Sequence, residues 1–400
     1  MKNMALLAFL LAIIVPVCFG NVPHESDMPC GEMLQKALDE SRKNSGAIGV
    51  SAAVLFPDGK MWKGASGMSH PGVPLTTGML FNIASIQKNF QAALALKLAE
   101  EGLLALDDPL EKWLPPYPNI DGKITIRRLL NMTSGIDDFV HAPQSPWQRG
   151  YPNIEFEKKW TWEEILRDLV GKPHFKPGDA CEYSTTNYIL LKHIIEKATQ
   201  SKLPAVLENR LLRPLHLDHT LADISQPIPK NMPIAHGWFD VRGDGSLADI
   251  SGNSLNWITS LSPLLVYSTP ADAVQWIDAL FHRKTVLNGE TLKAMLTFFG
   301  PVRNEPLMKG YGLGVVDIDI GALMPKWDEV RCYGHLGSGI GYTSFVGYFP
   351  ANGFSVSMMF NRGCDEGTDR AVAAVSGAVL DVLFKHLGVR ESMPRGSVSE

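Results

Sequence analysis

The stretch YTSFVGYFPANGFSVSMMF, residues 342–360, decides the fold. Two runs of β-branched, aromatic and apolar residues flank Pro350-Ala351-Asn352-Gly353, which predicts an antiparallel hairpin. Near the other end of the chain, GVSAAVLF (49–56) and KMWKGASG (60–67) flank Pro57-Asp58-Gly59 in the same way. Proline presets φ there and glycine supplies the positive φ of the turn. Further strand-like runs are YGLGVVDIDI (311–320) and EVRCYGHL (329–336). Helical spacing marks residues 31–44, with Leu34, Ala37, Leu38 and Ser41 in step. It also marks a stripe of Phe90, Ala93, Leu94 and Lys97 ended by Gly102, and a final helix from about Thr368 to Leu387 that stops at Gly388.

Between Leu106 and about Ser260 the character changes to prolines, tryptophans and short helical patterns. The expected architecture is therefore α/β of the α+β type. Both chain ends build one central antiparallel sheet flanked by helices (about 31–105 and 261–388), and an all-helical lobe (about 106–260) lies between them. A cleft is expected where the lobes meet, because small-molecule sites favour such junctions. Residues 389–400 read as a loose polar tail.

The N-terminus is different in kind. MKNMALLAFLLAIIVPVCFG has a positive start at Lys2, an apolar run from Ala5 to Val17, and small residues before Gly20. That run is short for a membrane span and suits a signal peptide over residues 1–20, which implies a secreted or periplasmic protein. Removal of Lys2, the only charged residue of the segment, takes the formal charge from −5 to −6. An uncleaved anchor stays open, and a lipoprotein reading through Cys18 is weaker because Val17 is bulky. No second span follows, so stable membrane insertion is not expected after cleavage. The mild negative charge gives no reason to expect nucleic acid as a partner. Four cysteines remain, Cys30, Cys181, Cys332 and Cys364. They allow three pairings that spacing cannot separate, and no zinc pattern is present.

Three short motifs carry the chemistry. In FNIASIQKNF (81–90), Ser85 is the only serine followed by a lysine three positions on. On a helix such residues face the same way, so the Lys88 amine can reach the Ser85 hydroxyl. To accept a proton near neutrality the lysine must lose roughly 3 pKa units, which burial in an apolar setting can supply. In FKPGDACEYSTTNYILL (175–191), Tyr183 follows a Pro-Gly turn and precedes an apolar helix. In YGHLGSGIGY (333–342), a strand ends in small residues that let a substrate backbone approach, with His335 at its head.

FNIASIQKNF, YSTTNY and GHLGSGIGY, in that order, resemble the serine β-lactamase and penicillin-binding-protein family, and most closely its class C β-lactamase, DD-peptidase, D-aminopeptidase and esterase branch. LALDDPLEKWLP (104–115), ITIRRLLNMTSGI (124–136) and STPADAVQWIDAL (268–280) agree with it, so the resemblance spans about residues 31–388. It implies that Ser85 is the acylated nucleophile, that Lys88 takes its proton, and that Tyr183 shares base duty and activates water. It also implies an oxyanion hole from the Ser85 and Ser338 amides, substrate contacts from Thr185, Asn187 and Gly337, and a His335 that steers a substrate carboxylate or relays protons. No metal or organic cofactor is expected. The expected partner is a small-molecule or peptide substrate, and the expected state is a monomer.

Two departures shape the expectation. Thr185 stands where the Tyr-x-Asn motif has asparagine, with Asn187 two residues on. His335-Leu336-Gly337 replaces Lys-Thr-Gly. Both disfavour β-lactams and lean toward D-amino-acid peptides and peptidoglycan-like amides first, and small esters second. The alternatives are a β-lactamase, or a non-catalytic relative that binds cell-wall fragments or a protein partner. An α/β-hydrolase is excluded by the lack of Gly-x-Ser-x-Gly. Cys181 reads as a structural thiol or half of a disulfide, and the aromatic residues from Phe139 to Trp162 read as packing.

Overall fold

A computed structural model describes residues 29–142, 160–222, 228–251, 264–363 and 366–392. The expected signal segment, Cys364, most of the aromatic stretch and the end of the tail lie outside the described residues.

The two hairpins form as their sequences require and meet at the middle of one sheet. Strands β1 (Gly49–Leu55) and β2 (Met61–His70) make the N-terminal hairpin, and β11 (Tyr342–Phe349) and β12 (Phe354–Phe360) the C-terminal one. β1 then pairs antiparallel with β12, from Val50 opposite Phe360 to Leu55 opposite Ser355, and so joins the chain's two ends. With β3 (Val73–Pro74), β8 (Met308–Tyr311), β9 (Val316–Asp319) and β10 (Arg331–Gly339), the strand order is β3-β2-β1-β12-β11-β10-β9-β8. All of its pairings are antiparallel. This is the expected sheet.

Two details of the sheet differ from expectation. The run 311–320 is not one strand: it holds the end of β8, the turn of a hairpin and the whole of β9. Gly314 there takes φ +76°, a left-handed conformation that glycine accepts without strain. The strand begun near Glu329 continues through the glycines to Gly339, so the third motif lies on β10 itself.

The longer helices are α1 (Cys30–Ser45), α2 (Gln87–Glu100), α3 (Thr186–Thr199), α4 (Pro270–Phe281) and α5 (Glu366–His386). α1 packs on α5 and β2, and α4 on β1, β11 and β12. Short helices at Leu110–Trp113, Ile126–Leu130 and Leu203–Leu207 accompany α3 in the middle of the chain. Two small ribbons complete the described strands: β4 (Phe81–Asn82) with β7 (Tyr267–Ser268), and β5 (Trp238–Phe239) with β6 (Ala248–Asp249), the second of which lies within the stretch expected to be all-helical.

α2 was expected to bury one stripe, but it is buried on nearly every side. It packs against α3 and against Leu203–Leu207, and Phe90 stacks on Trp276 of α4 at 4.2 Å. Its polar residues Gln87, Lys88, Asn89 and Gln91 are therefore interior groups. Asn89 donates to the Gly314 carbonyl at 2.8 Å and accepts the Trp276 indole N–H at 2.8 Å, which satisfies both ends of its amide. Lys88, 2% exposed, is carried into the interior on the same helix. Cys30, Cys181 and Cys332 form no disulfide with one another.

Candidate active site

Ser85 is presented by a strained turn. Asn82, at the end of β4, accepts the Ala84 N–H with its side-chain oxygen at 2.8 Å. Ala84 itself takes φ +46°, a left-handed conformation that costs a residue with a Cβ about 1–2 kcal/mol. The preceding Ile83 is tied on both sides. Its N–H donates to Val266 O at 3.0 Å, and its carbonyl accepts the Ser344 hydroxyl of β11 at 2.9 Å. The chain then makes one 3-10 turn, Ala84–Ile86, and runs into α2. Ser85 thus sits on the turn before the helix, and Lys88 in the first turn of the helix, with Nζ 3.0 Å from Ser85 Oγ.

Burial lowers the Lys88 pKa to about 8, against the opposing pull of the Asp138 and Glu305 carboxylates. Near neutrality roughly one such lysine in ten is an uncharged amine able to take a proton. The Tyr183 ring centroid is 5.0 Å from Lys88 Nζ. Its hydroxyl is buried without a hydrogen bond of regular geometry. Burial raises its pKa well above the usual phenol value, and the Ser85 hydroxyl beside it lowers it only in part. The phenol therefore keeps its proton. It suits a donor or relay better than the shared base that the resemblance implies.

β10 forms the other wall. β9 pairs only with Arg331–Gly334, so the edge from His335 to Gly339 has β11 on one side and the Ser85 turn on the other. Glycine is required for that approach. A Cβ at Gly337 would lie 2.2 Å from Ser344 Oγ and 2.3 Å from Ile83 O. Gly337→Ala must push β10 off the turn that carries Ser85. We expect it to cost about 2–3 kcal/mol of stability by urea denaturation and to slow Ser85 acylation at least tenfold. Wild-type behaviour in both assays would show that this contact does not matter. Ser338, next along the strand, is exposed.

His335 is fully buried. Nε2 is 2.9 Å from the Tyr311 hydroxyl, and Nδ1 is 2.6 Å from the Leu336 carbonyl. The carbonyl can only accept, so Nδ1 carries the proton and Nε2 accepts from Tyr311. Burial drives its pKa down to about 3. An uncharged, sealed imidazole cannot hold a substrate carboxylate as a cation would, so the steering role expected of His335 does not suit this geometry.

Thr185 and Asn187 part company. Thr185 lies at the mouth of α3, with its backbone N–H donating to Asp138 Oδ2 at 3.0 Å. Asn187 faces the interior, where Ser134 donates to its oxygen at 2.7 Å and its nitrogen lies 3.4 Å from the Met132 sulfur. The structure thus gathers Ser85, Lys88, Tyr183, His335, Gly337 and Thr185, and turns Asn187 away. Sequence reasoning missed Asp138, Glu305, Tyr311 and Asn82. The adjacent acids Asp137-Asp138, set among apolar residues just after ITIRRLLNMTSGI, were the available signal. Nothing in the local sequence marks Tyr311 or Glu305. Among the described residues, no cluster of three or more His, Cys, Asp or Glu side chains is placed to hold a metal ion.

A serine and a buried lysine one turn apart, a tyrosine at their side and a small-residue strand edge facing them are the framework of the serine β-lactamase and penicillin-binding-protein superfamily. Residues 34–378 match the Beta-lactamase family, and the chain belongs to it. The chain is similar to penicillin-binding protein 4* of Bacillus subtilis, 26% identical over 317 residues, which cover 77% of this chain and 66% of that protein. It therefore spans just under two thirds of that relative's length. Among solved structures it resembles a D-stereospecific amidohydrolase from Streptomyces sp. The TM-score is 0.73 at 27% identity, covering 86% of this chain and 98% of the other. It also resembles the D-amino acid amidase of Ochrobactrum anthropi SV3 in complex with L-phenylalanine amide. There the TM-score is 0.75 at 25% identity, covering 89% and 99%.

Proposed function

We propose that this protein is an exported serine hydrolase that acts on small amides of D-amino acids through an acyl-enzyme on Ser85. The observation that carries the reading is the buried Lys88 amine 3.0 Å from the Ser85 hydroxyl. Neutral Lys88 takes the Ser85 proton as Oγ attacks the amide carbon, forming the C–O bond. The proton then passes through the Tyr183 hydroxyl to the leaving nitrogen as the C–N bond breaks. Water repeats the sequence in reverse roles to release the acid, so no net proton is consumed. The strand edge at Gly337 and Ser338 receives the substrate backbone, and Ser338 and Ser85 supply amides to the developing oxyanion.

The substrate class rests on two supports. His335 is uncharged, so a substrate carboxylate finds no cation there, as a β-lactam or DD-peptidase substrate would need. The structural relatives named above carry D-amino acid amidase and D-stereospecific amidohydrolase titles. Export is the expectation of residues 1–20 alone.

The test is intact-mass labelling with a fluorophosphonate, followed by turnover of D-phenylalanine p-nitroanilide, ethyl butyrate and nitrocefin. Ser85 should be the labelled residue, and Ser85→Ala should lose labelling and turnover at least a thousandfold. Faster turnover of nitrocefin than of the D-amide would overturn the substrate class. No labelling of folded protein would favour a non-catalytic binder.

A further inference from the structure

Tyr183 is held from outside the site by a histidine that belongs to none of the three motifs. The strap leading into it, residues 171–182, lies along residues 132–138, with the His174 N–H donating to Gly135 O at 2.9 Å and the Glu182 N–H to Met132 O at 3.0 Å. The His174 ring stands between two carboxylates. Nε2 is 2.9 Å from Asp137 Oδ1, and Nδ1 bonds Glu182 Oε1. Both nitrogens face acceptors. A neutral imidazole has one N–H and serves only one of them, whereas the imidazolium serves both.

The positions of those acids matter. Glu182 immediately precedes Tyr183. Asp137 immediately precedes Asp138, whose carboxylate accepts the Thr185 N–H on the far side of Tyr183. The tyrosine is thus bracketed by two carboxylate-bearing segments, and His174 ties the segments together. The Asp137 and Glu182 side chains are only 12% and 20% exposed, so loss of the shared cation leaves two poorly solvated negative charges facing each other.

We propose that His174, held as an imidazolium between Asp137 and Glu182, is a positioning residue that keeps the Tyr183 hydroxyl against Ser85, so that its deprotonation slows proton delivery to the leaving group. The proposal rests on the acyl-transfer reading above. The charged groups that face the ring are Asp137 from the 132–138 stretch and Glu182 from its own strap. Through Glu182 it also meets Arg303, whose guanidinium is 3.8 Å from that carboxylate. The Glu182 hydrogen bond is the main reason the His174 pKa lies above its ordinary value, with Asp137 adding to it. The clamp therefore stays closed to higher pH than an ordinary histidine would allow, and it opens as the pH rises further.

The experiment compares two readouts across pH. Turnover of D-phenylalanine p-nitroanilide and of ethyl butyrate needs a proton for the departing group. Fluorophosphonate labelling expels fluoride and does not. Wild-type turnover should fall along an alkaline limb that labelling lacks. His174→Gln should lower kcat about tenfold at pH 7 with KM within twofold, and show no limb. His174→Arg keeps a cation between the acids, so it should retain most of the kcat and also lose the limb. In a Tyr183→Phe background, His174→Gln should add nothing. Persistence of the limb in His174→Arg, its absence from wild-type turnover, or a full additional loss in the Tyr183→Phe background would overturn the proposal. Should His174→Gln fail to fold, wild type and His174→Arg decide it. Turnover of the ester without the amide would overturn the D-amide reading and leave the clamp to be judged on the ester. Turnover of neither would overturn both.

Discussion

Lys88→Met should slow Ser85 acylation by about a thousandfold or more and yet leave the protein at least as stable as wild type at pH 7. The first half follows from chemistry, since a thioether accepts no proton and serine is a poor nucleophile without a base. The second half follows from burial. The Lys88 pKa lies near 8 in the folded protein and near 10.5 when exposed. A group depressed in this way destabilises the folded state wherever it is protonated. Between pH 8 and 10.5 the unfolded chain binds the extra proton, so wild-type stability should rise with pH across that window and sit below its ceiling at all lower pH. The 2.5-unit gap amounts to about 3 kcal/mol at pH 7. Methionine fills similar space without the charge. Part of the gain is offset because Asp138 and Glu305 lose the cation that favours their ionised forms. We expect a net gain of about 1–2 kcal/mol at pH 7 that disappears by pH 10, measured by urea denaturation of wild type and variant at both values. A variant that is less stable at pH 7, with a difference that does not change with pH, would mean that Lys88 carries no buried charge and is not tuned for catalysis.

The same trade explains which parts of this protein could be read in advance. The sheet was legible because each strand of a hairpin declares itself locally, through its apolar run and its turn chemistry, and both hairpins lie whole within short windows. What joins them, Val50 opposite Phe360, is a contact between opposite ends of the chain that no window contains. The catalytic pair was legible for the same local reason, since three residues along a helix fix where two side chains point. The partners of that pair were not. Tyr311 reaches His335 from β8, a strand that β10 does not pair with, and Glu305 reaches Lys88 only electrostatically, from a loop before β8. The family resemblance supplied the role of the third-motif residue but not its charge. That depended on how deeply His335 is buried, which is a property of the packed sheet. The burial of α2 was misread for a related reason. Gln87, Asn89 and Gln91 look like a solvent face by residue type, but Asn89 at least is an interior group with interior partners.

Acylation by a fluorophosphonate should rise about tenfold per pH unit up to about pH 8 and then level off, so that labelling at pH 5 is about a thousandfold slower than at the plateau. The sign follows from which form reacts. The base works only when deprotonated, and the unprotonated fraction of a group with a pKa near 8 falls tenfold for each unit below it. The competing base is Tyr183. Its hydroxyl lies beside Ser85, but burial holds its pKa well above 10, so a mechanism through the phenolate would keep rising beyond pH 10. His335 is excluded from this limb because it is already neutral throughout, with a pKa near 3. The two bases are therefore separated by the midpoint alone. Labelling rates from pH 5 to 11 on wild type and Tyr183→Phe measure it directly. A midpoint near 8 that survives in Tyr183→Phe assigns the base to Lys88 and leaves the tyrosine as the relay to the leaving group. A midpoint above 10, or one that vanishes with the phenol, would move the base to Tyr183 and reduce Lys88 to an electrostatic partner.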